Sequence, residues 1–434
     1  MIKRICVALV SLLSLSALSQ DTTMFRANPA HSGLYTGPGV PHLSHLKWKF
    51  HTKGQVMSSA AIANGIVYFG STDHNLYAVD QQSGTLKWKF KTDSRIPSSP
   101  AIADGAVFFL SYDGYFYAVD AATGKLLWRF QTGGEHRYAA THIHGALPVA
   151  ETMPDPFDFY LSSPAVLNHI VYFGSSDGNV YALDETTGKL KWKFHTGNVV
   201  HSSPAIADGT LFIGGWDTFF YALDAATGKE QWRFKTGDDP QIHNQVGIQA
   251  SPVVANGIVY FGCRDSHFYA VDAHTGKQKW VFPTGESWVI GSAAIQGDKI
   301  YFATSDSGLF HGANANTGAE LYTLKFIWPM FSSPAIAGNM LYIGSHTGKL
   351  IAIDLVGQHA AWTFATDGSR ENGPKYTNAD GTPNYAAAFK DDFYDGMVTG
   401  VERMMTVGAI LSSPVVSGNA LYFGSMDGNF YAVE

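Results

Sequence analysis

The residues best suited to chemistry are concentrated in one stretch, Gly134-Glu135-His136-Arg137-Tyr138-Ala139-Ala140-Thr141-His142-Ile143-His144. His142 and His144 fall on one side of an extended segment, and with His136 or Glu135 they would offer borderline ligands to a metal ion. The spacing matches no zinc signature, and in a chain with 17 histidines chance clustering competes with a built site. Cys263 follows Phe261-Gly262 in an apolar run, which predicts a buried, inert thiol rather than a nucleophile. Asn378-Ala379-Asp380-Gly381 starts like a calcium loop, but Phe389 stands where the bidentate Glu would be needed, so a plain turn is expected. The chain has no glycine-rich phosphate loop, no nucleophile elbow and no helical pattern of useful length.

Whatever positions these groups must be built from an unusual composition. Hydrophobic residues make up 45% of the 434, aromatics 14%, and there are 45 glycines, enough apolar surface for a large core. With 29 Lys+Arg against 36 Asp+Glu the net charge is -7, which disfavours a nucleic-acid partner. Residues 1–19 read as a cleavable signal peptide: Lys3 and Arg4 precede an apolar run too short to span a bilayer, and Ala17-Leu18-Ser19 supplies small residues for cleavage. A periplasmic or secreted protein without a transmembrane segment is expected. Cys6 lies inside the apolar run and not at the cleavage point, so no lipid anchor is predicted, and a single cysteine, Cys263, remains.

Self-similarity explains the composition. The string Ser98 to Phe130 returns nearly unchanged from Ser162, Ser202 and Ala250, and in diverged form from Ser58, Gly291, Ser332 and Ser412. Each unit holds four short runs rich in β-branched and aromatic residues, separated by Asn-Gly or Asp-Gly, Asp-Gly-Asn and Thr-Gly-Lys. These are antiparallel strands A to D, and such a sheet must bury both faces against its neighbours. The prediction is therefore an all-β, eight-bladed β-propeller. Leu46 to Phe50 is a D strand without its A, B and C, whereas the last unit ends after C, so the N-terminal strand closes the ring. Residues 20–44 form a leader and 45–434 the propeller, and a monomer is expected.

The repeat Ala-x-Asp-Ala-x-Thr-Gly-Lys-x-x-Trp, as in Ala222 to Trp232, resembles the pyrroloquinoline quinone (PQQ) repeat of quinoprotein alcohol dehydrogenase-like propellers. The leader Phe25-Arg26-Ala27-Asn28-Pro29-Ala30-His31-Ser32-Gly33 is similar to the segment before their first strand. The resemblance spans residues 45 to 434 and implies a fold, because the repeated Trp and Thr-Gly are structural. In the family's enzymes, arginines hold the quinone carboxylates, acidic residues serve a calcium ion and act as base, and a tryptophan stacks on the quinone. On that analogy Arg95, Arg137, Arg264 and Arg370 would hold carboxylates, Asp155, Asp158 or Asp391 would be metal ligand or base, and Trp216, Trp288 or Trp328 would stack. The vicinal cysteine pair and the Gly-Asn-Pro-x-Pro-Trp stretch of the larger dehydrogenases are missing.

All three long insertions, 132–161, 236–249 and 366–411, are D-to-A connections, which the family's topology places on one face together with the B-to-C turns. That face is expected to be functional. Aligning the repeats gives two variable rings on it. Just before the B-to-C aspartate stand Thr72, Tyr112, Ser176, Trp216, Arg264, Ser305, His346 and Met426; just before each A strand stand Met57, Pro97, Leu161, His201, Gln249, Ile290, Phe331 and Leu411. The second ring is mostly apolar, so an aromatic mouth poor in charge is expected. The reading favoured is an exported non-catalytic binding platform, similar to BamB-like propellers, with envelope or extracellular proteins as partners of the insertion-bearing face. The alternatives are a PQQ- and calcium-dependent dehydrogenase of alcohols, sugars or polymers, and a glycan or small-ligand binder.

Overall fold

A computed structural model describes residues 21–143, 146–237 and 247–434. The expected signal peptide, His144 and most of the 236–249 insertion lie outside the described residues. Strand pairing gives eight blades, in the order 61–91, 101–131, 165–195, 205–235, 253–283, 294–325, 335–365 and 415–433, here blades 1 to 8. Each runs A-B-C-D antiparallel from the axis outward, except that blade 7 gains a fifth strand, Leu34–Tyr35 of the leader, parallel to its inner strand. Blade 8 takes its outer strand, Leu46–His51, from the N-terminus, with Trp48 opposite Ala432 and Phe50 opposite Phe430, so the ring closes as the repeats predict.

The repeated residues dock blade to blade. The D-strand tryptophans of blades 1 to 5 and 8 send their indole N–H to a backbone carbonyl of the next blade, as Trp192 Nε1 to Ala225 O and Trp232 Nε1 to Ala273 O, both at 3.0 Å, whereas Trp362 of blade 7 donates to Val40 O of the leader at 3.0 Å. The Thr-Gly glycine of the next blade lies against the indole face; a Cβ on Gly228, whose φ is +72°, would stand 2.5 Å from the Trp192 ring. On the insertion-bearing face the B-to-C aspartates knit the connections. Asp217 accepts from Tyr221 Oη at 2.5 Å and from Gly197 N of the preceding connection at 2.7 Å, and Asp73, Asp113, Asp177, Asp265 and Asp427 each accept from the corresponding tyrosine.

Two parts of the chain close the axis. From the turn-bearing side, the leader crosses the inner strands. Carbonyls of Thr22, Thr23, Pro29, Ala30, Ser32 and Gly33 accept from Ile62, Ile102, Ile206, Val254, Ile295 and Ile336, in six different blades. Arg26, fully buried, donates to the carbonyls of Pro334 and Ala293. Above it the serines preceding the A strands link neighbours, Ser59 N to Ser99 Oγ, Ser99 N to Ser163 Oγ and Ser163 N to Ser203 Oγ at 2.9 to 3.0 Å. The axial space left is about 40 Å³, little more than a water site.

The third insertion corrects the expectation of no useful helix. It folds into α1 (Asp367–Tyr376), α2 (Tyr385–Ala388) and α3 (Tyr394–Met405). Helix α3 carries Gly396, Val398, Thr399 and Gly400, poor helix formers that hide its pattern. Packing overrides propensity: Val401, Met404 and Met405 are buried, and Gly400 lets Phe389 approach to 2.3 Å of where a Cβ would be. Among the described residues no helix is long and apolar enough to cross a membrane.

Candidate functional site

The insertion-bearing face is organised by residues 132–161, which fold down into the mouth of the ring. Phe157 and Phe159 pack with Trp288, Ile290, Phe331 and Leu411, and Tyr160 Oη donates to the carbonyls of Phe331 and Leu411 at 3.2 and 3.1 Å. The insertion thus lays aromatic side chains over the apolar arc of the inner ring.

Over blades 3 to 5 it meets a polar arc instead, which overturns the expected charge-poor mouth. Arg264 is fully buried, its guanidinium clamped between the rings of Trp216 and Trp288 with Cζ 4.4 and 4.3 Å from their centroids. It pairs with the buried Asp155, and its Nε and Nη2 donate to Gln249 Oε1 at 3.1 and 2.7 Å. Tyr138 stacks on the same Trp216 ring, with centroids 4.3 Å apart and planes at 12°. Asp158 Oδ2 accepts from Tyr138 N at 2.7 Å, and its Oδ1 meets His201 Nδ1 at 2.9 Å and Gln249 Nε2 at 3.2 Å. Burial pushes the Asp155 carboxyl upward, opposed by the adjacent Arg264 guanidinium.

His201 Nε2 in turn lies 2.8 Å from Ser176 Oγ, so Asp158, His201 and Ser176 stand in the order of a nucleophilic triad. The serine is shut in, however. It is 2% exposed, and its Oγ lies 2.8 Å from Glu135 Oε2 as well. Glu135 also accepts from Ser176 N, Ser175 Oγ and Thr132 Oγ1, and burial raises its pKa against those bonds. No substrate carbonyl can reach Ser176, and the array acts as a strut holding the insertion onto blades 3 and 4.

The other candidates lie apart from this cluster. Trp328 is buried beneath the third insertion, with Nε1 donating to Gly381 O at 2.8 Å. Arg370 is exposed and pairs with Asp367 at 3.2 Å. Asp391 caps the approach to α3, accepting from Phe393 N at 3.1 Å. His136 is exposed with Nδ1 on Arg137 O at 2.9 Å, and His142 is exposed nearby. Among the described residues, the group of three His, Asp or Glu side chains whose ligand atoms all lie within 4.8 Å of one another is Asp104, His169 and Glu185, next to the turn-bearing side, not in that stretch. Cys263 is buried, and burial drives its thiol pKa far up, as its position implies. Asn378 to Thr382 form the expected turn, closed by Gly381 N to Asn378 O at 2.9 Å. Arg95 and Arg137 line a separate cavity on the same face.

The axial Trp-Arg-Asp set does not fit a quinone. A stacked planar cofactor needs an open tryptophan face, yet Trp216 carries Tyr138 on one side and Arg264 on the other, and the cationic group that would hold a carboxylate already holds Asp155. The residues that sequence reasoning did not assign to a site are Tyr138, Ser176, His201 and Gln249. A signal was there: the polar members of the two aligned rings fall together in blades 3 to 5.

The sequence pattern described as outer membrane protein assembly factor BamB matches residues 42–153, 159–287 and 270–401. The chain belongs to this family of PQQ-repeat propellers. BamB from Moraxella catarrhalis superimposes with a TM-score of 0.67 at 16% identity, over 91% of this chain and 100% of that one. A europium-containing methanol dehydrogenase gives 0.68 at 14% identity, over 94% and 91%. The quinohemoprotein alcohol dehydrogenase from Comamonas testosteroni gives 0.69 at 13% identity, over 95% and 80%. At these identities the BamB-like and dehydrogenase-like propellers share the fold with this chain. No curated protein sequence matches it.

Proposed function

We propose that this BamB-family propeller is an exported, non-catalytic platform that presents the insertion-bearing face to envelope or extracellular proteins. One observation carries the reading. The first and third insertions pair with each other, Leu147 N donating to Asp392 O at 2.7 Å and Tyr394 N to Leu147 O at 3.0 Å, and this pairing holds apolar side chains in solvent. Leu147, Val149 and Phe393 are 39%, 47% and 61% exposed. Single apolar residues are as exposed elsewhere, Leu127 at 53% and Val356 at 72%, but here they are gathered where two insertions meet, as a partner surface would be. The occupation of Trp216 supports the same reading, because its two faces are taken by the chain's own Tyr138 and Arg264.

The test is crosslinked retention of envelope proteins by the purified propeller, with Phe393→Asp and Leu147→Asp beside it. Specific retention that both substitutions abolish without changing the melting temperature is expected. Retention of nothing, together with dye-linked oxidation of an alcohol or sugar after reconstitution with PQQ and calcium, would replace the platform by the dehydrogenase; binding on a glycan array alone would replace it by a glycan binder.

A further inference from the structure

Three arginines converge on a cavity of about 390 Å³ under α3, across the ring from Trp216 and Trp288. Arg95 comes from the connection between blades 1 and 2, Arg137 from the first insertion and Arg403 from α3. All three are half-buried. Elsewhere Arg233, Arg264 and Arg370 each face a carboxylate. Here none does. The Arg95 guanidinium rests 3.9 Å above the Tyr112 ring, Arg403 Nη1 donates to the Ala388 carbonyl at 2.7 Å, and the buried Nε of Arg137 meets no acceptor among the described residues.

The nearby acids do not balance this charge. Among the described residues Glu402, exposed, is the one carboxylate lining the cavity. Glu135, two residues from Arg137, is taken up by Thr132, Ser175 and Ser176, and Asp158 by His201, Gln249 and the Tyr138 amide. Three like charges drawn together from separate elements repel one another, and burying them without counter-charge is costly. The guanidinium fork matches carboxylate and phosphate oxygens two at a time. Between the arginines the walls are apolar, from Met57, Phe159, Val401 and Met405.

We propose that this cavity binds a small organic dianion with a flat or apolar body, its two acidic groups held by Arg95, Arg137 and Arg403 and its body by the methionine and phenylalanine walls. The volume is that of a small-molecule site. The site is independent of the partner-binding reading, since it uses neither Leu147 nor Phe393.

Naphthalene-2,6-dicarboxylate and 1-naphthyl phosphate, titrated calorimetrically into the full chain without added calcium, separate a carboxylate from a phosphate ligand. At least one is expected to saturate at one per chain, and 2-naphthoate, with a single charge, to bind tenfold or more weakly. Arg137→Ala and Arg403→Ala should each weaken binding at least tenfold, Arg137→Lys less, and Arg129→Ala, whose guanidinium lies over Tyr115, not at all. Because Arg403 also ties α3 to α2, a melting temperature accompanies each variant, and Arg137→Gln stands in if Arg403→Ala unfolds. No saturation by either probe at millimolar concentration, equal binding of 2-naphthoate, or affinity unchanged in the folded Arg137 variants would overturn the proposal.

Discussion

At the scale of single residues, Arg264 shows how a group suited to a ligand can serve the fold. Its charge is neutralised by Asp155, its two faces are covered by indoles, and its N–H groups are met by Gln249. Removing one partner of a buried pair leaves the other uncompensated, so Arg264→Met should destabilise the protein by about 3–5 kcal/mol in chemical denaturation, and adding Asp155→Leu should recover a large part. A double variant no better than the single one would contradict that reading. Cys263 should resist thiol reagents in the native protein and react fully in denaturant, as its burial requires. The types and positions of Arg264, Asp155 and Trp216 were legible in the sequence; their mutual occupation was not, because it depends on how residues 132–161 fold back, and nothing in their local pattern encodes that path.

At the scale of elements, the repeated C-to-D turns make a pH prediction. Asp80 takes Ser83 N, Ser83 Oγ and Lys87, which lowers its pKa from 3.8 to about 2, and Asp184, Asp224 and Asp272 are lowered by the equivalent threonine bonds. A carboxyl with a folded-state pKa below its unfolded value adds stability that is complete above about pH 4 and lost as the pH falls towards 2. The melting temperature should therefore fall in two limbs: below about pH 6.5, because burial lowers His31 and His346 to about 3 and only the unfolded chain can protonate them, and more steeply below about pH 4 as the turn carboxyls protonate. Blade 6 supplies the control within the same molecule: Asn314 holds Thr317 at 3.1 and 3.2 Å where Asp224 holds Thr227 at 2.8 and 2.7 Å. Asn substitutions at the other turns should flatten the limb below about pH 4, and an unchanged limb would place that titration elsewhere. Strands and turns of this kind were readable because each blade repeats them. Helix α3 was not, since Met397, Val401, Met404 and Met405 do follow a helical spacing but are interleaved with glycine and β-branched residues.

At the scale of the molecule, closure by Leu46–His51 leaves no free edge on Asn429–Val433. A variant beginning at residue 53 should melt at a lower temperature and associate with concentration in light scattering, because that edge is then open. Monomeric behaviour equal to the full chain would contradict the closure argument. Eight blades and their closing strand were legible from repeat counting alone. The leader's path across six blades was not: its carbonyls meet inner-strand amides through backbone bonds that carry no side-chain signature. That path and the first insertion close the axis from both ends, so that the axial residues serve the fold and the insertion-bearing face is left to bind partners. The most direct test is calcium-dependent PQQ reconstitution of the purified protein followed by dye-linked oxidation across alcohols and sugars. No turnover above that of the protein without quinone is expected of a non-catalytic platform; saturable, micromolar, calcium-dependent turnover abolished by Trp216→Ala would make the protein a dehydrogenase.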